Sequence, residues 1–113
     1  MTRKQDLQAI KGLADLVLDH RLGGLRDATR RLDLSRAQLA AINAEEAPGD
    51  LPPVAAGIVN IGYQRWADIR RAELNSVMAR QSAAVIEARA DAATAFGRVE
   101  ALQGVARRLA GKS

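Results

Sequence analysis

The chain has 113 residues, one histidine, no cysteine and a formal net charge of +4. Without cysteine there can be no disulfide, thiolate metal site or thiol nucleophile, and 48% hydrophobic with 27% charged residues is the composition of an ordered chain, not of a disordered tail. Aromatics amount to 3%, namely Tyr63, Trp66 and Phe96, which suits an elongated helix pair better than a core packed around large rings.

The first apolar stretch is interrupted by Lys11, Asp15 and Asp19, and no run of about 18 apolar residues follows. A mature cytoplasmic chain without a membrane span is therefore expected. From there Leu18, Leu25, Leu32 and Leu39 recur every seventh residue, with Leu22, Ala28 and Ile42 at intermediate steps. A seven-residue repeat keeps one stripe of a helix facing a partner helix, and predicts a first helix over 3–46. Gly23-Gly24 is its weak point, at about 1 kcal/mol per glycine relative to alanine, and a local bend is expected there.

All three prolines, Pro48, Pro52 and Pro53, fall in one short segment. Proline lacks the amide donor and clashes with the preceding turn, so a bend over 47–54 is predicted, with 48–53 non-helical. Beyond it Val85, Ala92, Val99 and Ala106 form one seven-residue series, and Ala88, Ala95, Leu102 and Leu109 a second, three residues out of step. These are the two seam positions of a coiled coil and predict a second helix over 55–110. Nearer the bend a different phase, Ile58, Ile61, Trp66, Ile69 and Val77, is expected to take over. The fold class is thus all-α, one antiparallel coiled-coil hairpin spanning 1–113, with helices about 65 and 85 Å long at 1.5 Å per residue.

Placing the bend near residues 50–51 makes paired residue numbers add to about 101, so that Leu32 meets Ile69, Leu39 meets Gly62 and Leu25 meets Ser76. On that register the last dozen residues of the second helix have nothing opposite them. An underburied stripe of Leu102, Val105, Ala106 and Leu109 is expected beside Arg107, Arg108 and Lys112, and Leu102, Val105, Leu109, Arg107 and Arg108 become the first candidate partner-binding residues. The charge distribution agrees: residues 1–12 carry net +2 and 98–113 net +3, whereas 13–97 carry −1. Exposed apolar stripes mark interfaces, and neighbouring positive charge speeds encounter with an acidic partner. Tyr63 and Trp66 are the second candidate, either as a lock on the bend or as aromatic anchors for a partner.

No catalytic, metal or cofactor site is expected. His20 is flanked only by Asp15, Asp19 and Asp27, without a second imidazole to complete a ligand set, and the terminal Gly111-Lys112-Ser113 has no helix after it to receive a phosphate. Fourteen arginines raise nucleic-acid binding as a competitor. Mixed runs such as Asp68-Arg70-Arg71-Glu73 and Glu87-Arg89-Asp91 argue instead for a salt-bridged solvent face.

Tyr63-Gln64-Arg65-Trp66 opens the second helix, and Ala88-Arg89-Ala90-Asp91, followed after four intervening residues by Phe96-Gly97-Arg98-Val99-Glu100-Ala101-Leu102, lies near its end. In these residues, and in its architecture over essentially the whole chain, the sequence resembles the FliJ/YscO group of type III secretion stalk proteins. The resemblance implies a soluble, non-catalytic component of a flagellar or other type III export apparatus, peripheral to the membrane. It would insert its open end into the ring of an export ATPase and contact the export gate and export chaperones. A homodimeric coiled-coil scaffold or export chaperone is the alternative, and a nucleic-acid-associated helical protein the third.

Overall fold

A computed structural model describes residues 2–45 and 52–111. The protein is all-α, two long helices running antiparallel as a coiled-coil hairpin: α1 (Arg3–Ala44) and α2 (Pro53–Gly111). The α1 start is set by a reciprocal cap, in which the Gln5 amide donates to Thr2 Oγ1 (3.2 Å) and the Thr2 amide donates to Gln5 Oε1 (3.1 Å). This satisfies two amides that have no partner within the helix. At the other end α1 stops at Ala44, two residues before the expected 46. Proline ends α1 less directly than it opens α2: Pro53, expected to be non-helical, is the first residue of α2. Its missing N–H costs nothing at that position, and its φ is already helical. Val54, also placed in the expected bend, is helical, Pro52 is non-helical as expected, and the rest of the expected bend, 47–51, lies outside the described residues, while α1 runs through Gly23-Gly24 as unbroken helix.

Burial along α1 follows the heptad. Leu18, Leu25 and Leu39 are half-buried and Leu32 buried, whereas Arg26, Arg30 and Arg36 are exposed. Ala28, Ser35 and Ile42 fill the alternate seam positions. On α2 the seam passes through Tyr63, Ala67, Arg70 and Leu74, then Met78, Gln81, Val85, Ala88, Ala92, Ala95, Val99 and Leu102. Leu74 and Ala67 lie 14 and 21 residues before Ala88, so the seven-residue series of the open end continues in phase into the bend unit, with Arg70 and Arg71 both half-buried beside it, and only at Tyr63 does the seam take an extra four-residue step. That continuity overturns the expected bend-side phase. Ile58 and Ala67 are nine residues apart, about two and a half turns, so with Ala67 fully buried Ile58, Ile61 and Ile69 face the opposite side and are exposed.

The chain divides by its contacts into two compact units. The bend unit, Arg30–Ala83, is held by a cluster of Ile42, Ala67 and Leu74, with Leu39 and Tyr63 packed on it. Arginines stitch its rim: Arg71 Nε donates to Asn43 Oδ1 at 2.8 Å, and Arg70 reaches Gln38 Oε1 at 3.5 Å. The open unit, Met1–Thr29 with Ala84–Ser113, has an alanine-rich seam, and there Arg21 pairs with Asp91 at 3.8 Å.

These contacts correct the register. Neighbours add to 112 in the open unit (Arg21 with Asp91) and to between 105 and 114 in the bend unit (Tyr63 with Ile42, Gln38 with Arg70, Asn43 with Arg71), not to about 101. Ile69, Gly62 and Ser76, the expected partners of Leu32, Leu39 and Leu25, are all exposed. The error came from assuming a symmetric turn. Here eight residues lie between the last of α1 and the first of α2, and α2 runs past the end of α1 at the bend rather than past its start.

Candidate partner-binding surfaces

At the open end the corrected register brings the first three turns of α1 beside the last two of α2. Arg3, Lys4, Leu7, Gln8 and Lys11 line a cleft of about 270 Å³ together with Ala106, Leu109 and Ala110, and Lys11 and Ala106 line a neighbouring groove with Gln103, Arg107 and Ala110. The apolar floor is Leu7, Ala106 and Leu109. Arg3, Lys4 and Lys11 line this cleft and Lys11 and Arg107 the neighbouring groove, and among the described residues neither lining contains a carboxylate.

The sequence placed an underburied stripe at the open end because it expected the second helix to outlast the first there. The second helix does not outlast the first there, so Leu102 is half-buried in the seam while Val105 and Leu109 are each 39% exposed. Arg107 lines the groove, Arg108 is exposed on the last turn of α2, and Lys112 lies outside the described residues. The residues missed as site members are those of α1, above all Leu7 and Lys11. Their signal was the net +2 over 1–12, legible as charge but not as a wall of the same cleft.

At the bend the second candidate pair separates into two roles. The Tyr63 hydroxyl donates to the Ile42 carbonyl at 3.0 Å and lies 3.3 Å from Glu45 Oε2. Desolvation, followed by the charge and hydrogen bond of Glu45, holds its phenol above the ordinary value, with Arg71 opposing. Tyr63 is thus a structural lock. Trp66 leans on it, with ring centroids 5.8 Å apart and planes at 41°, and stays half in solvent.

No family model, curated protein or solved structure matches this chain.

His20 lies in a third cleft, of about 230 Å³, where tertiary packing adds Glu87 and Asp91 to the acids the sequence showed near it. Among the described residues there is no group of three or more His, Asp or Glu side chains placed to hold a metal ion, and no helix long and apolar enough to cross a membrane.

Proposed function

We propose that this protein is a non-catalytic docking hairpin whose open end binds an acidic partner protein. In the setting given by the FliJ/YscO resemblance, that partner is a flagellar or type III export ATPase ring, with the export gate or export chaperones as further contacts. The supporting observation is the open-end cleft, where Arg3, Lys4 and Lys11 border an apolar floor of Leu7, Ala106 and Leu109, with Arg107 in the adjoining groove and no carboxylate among the described residues of either lining. Helix energetics alone would not place two of these cations there. The positive end of the helix dipole lies at the N-terminus of α1, where Arg3 and Lys4 are unfavourable by a few tenths of a kcal/mol each. A surface that concentrates cations against the local dipole suits an anionic ligand, and its apolar floor suits a helix or loop presenting Leu-sized side chains between acidic residues.

The test is titration calorimetry of the full chain against a candidate export ATPase. Lys11→Glu with Arg107→Glu should weaken binding at least about tenfold at low salt, with helicity unchanged. Binding that is indifferent to this pair would remove the open end from the reading.

A further inference from the structure

The start of α2 carries a second apolar surface, which the hairpin does not use and the proposed open-end function does not involve. Tyr63 reaches Ile42 and Glu45 at the end of α1, so Pro53–Gly62 lies beyond the last turn of α1, a length of about 15 Å at the helical rise. No charged residue occurs between Asp50 and Arg65. Within this stretch Val54, Ile58 and Ile61, continued by Ile69, follow spacings of four, three and eight residues that keep them on one stripe. They are 78, 67, 65 and 58% exposed. Val59 and Trp66, 39 and 50% exposed, border the stripe on one side, and the six side chains form one contiguous apolar surface on the order of several hundred Å², the size at which an exposed patch on a soluble monomer marks an interface.

We propose that this stripe packs against the same stripe of a second copy, making the protein a homodimer joined α2 to α2 through its bend units. Three observations select a second copy. The exposed apolar surface, several hundred Å² in order of magnitude, approaches the ~800 Å² that each partner contributes to a standard interface. The surface from Pro53 to Gln64 is uncharged, so it meets its own copy without like charges opposed, whereas a different partner is normally chosen through complementary charge. Finally, β-branched residues at four- and three-residue steps form the ridges that one helix packs into another. Gly57 and Gly62 flank them with nothing within 4 Å of an added Cβ, leaving room for close approach. Arg65, the one charge on the stripe, decides the direction. A parallel pair sets Arg65 against its copy, whereas an antiparallel pair about a two-fold axis near Ile61 lays Arg65 along Ile58 and Val54 against Ile69. That arrangement is isologous and closes. The dimer leaves every open-end residue unused and so carries two docking clefts, giving avidity toward a multivalent partner.

The experiment is sedimentation equilibrium on the full chain without any partner. A dimer mass is expected, and Ile58→Glu with Ile61→Glu should raise its dissociation constant at least about tenfold with helicity unchanged, both side chains being exposed. Because the chain has no cysteine, Ile61→Cys should form a disulfide-linked dimer under mild oxidation, while Leu34→Cys, equally exposed but off the stripe, should not. Lys11→Glu with Arg107→Glu should leave the mass unchanged, which separates this inference from the open-end reading. A chain that stays monomeric at about 100 µM overturns the proposal, as does equal cross-linking from Leu34→Cys. So does a monomer that co-sediments with phosphatidylcholine vesicles and is released by the Ile58→Glu, Ile61→Glu pair, in which case the stripe meets lipid.

Discussion

The hydroxyl of Tyr63 donates to the backbone carbonyl of Ile42 at 3.0 Å. Ile42 is two residues from the end of α1, so its carbonyl is among the last four that have no partner within the helix, and α2 supplies one. The contact caps α1 and fixes the register of the bend unit at once. It also links that unit to pH. The Tyr63 phenol is held above its ordinary value near 10, first by desolvation and then by Glu45, so the folded state keeps the proton where the unfolded chain has released it. Stability from this group is therefore complete below pH 10 and lost as pH rises through the raised value. Thermal melts of Tyr63→Phe should start lower than wild type at neutral pH and show a shallower decline above pH 10. Equal alkaline slopes would show that Tyr63 is not the group responsible.

The register gives Leu74 and Ile69 opposite fates. Leu74 is 2% exposed in the Ile42–Ala67 cluster, and Leu74→Ala should cost about 2–4 kcal/mol in urea unfolding. Ile69→Ala, at concentrations where the chain is monomeric, should cost less than about 0.5 kcal/mol. The register near 101 expected from a symmetric turn predicts the reverse order.

Gln81 occupies a seam position between Met78 and Val85, with its Oε1 buried and without a hydrogen-bond partner. An apolar side chain of similar length removes that desolvation cost. Gln81→Leu should stabilise the protein by about 1 kcal/mol, measured as a shift of the urea midpoint at constant slope.

Gly24 lies mid-helix with nothing within 4 Å of an added Cβ. Gly24→Ala should raise stability by about 0.5–1 kcal/mol. A loss on calorimetric melting would mean that α1 needs freedom at this point.

At the open end, charge and apolar surface should separate kinetically. Charge reversal of Arg107 and Arg108 should slow association with an acidic partner and lose its effect at high salt. Leu109→Ala should instead speed dissociation, weakening binding by about 1–3 kcal/mol if it anchors the contact, as surface plasmon resonance at two ionic strengths would read.

Much of the local structure was written in the residues. The seven-residue recurrence of Leu18 to Leu39 and of Val85 to Ala106 identified the seams, because a side chain's place on a helix depends only on its number and the helical repeat. The absence of proline outside 48–53 limited the breaks to one, and the charge excess in 1–12 and 98–113 pointed to the open end. What these signals could not supply was the axial offset between the helices, since a heptad pattern is nearly unchanged when one helix slides along the other by a repeat. Packing decided it. The small Ala67 lets Ile42 in, Tyr63 finds the Ile42 carbonyl, and Arg71 reaches Asn43, contacts of high sequence separation that no local pattern encodes. From that offset came the three features the sequence misplaced: the α1 wall of the basic cleft, the overhang of α2 at the bend, and the outward turn of Ile58, Ile61 and Ile69.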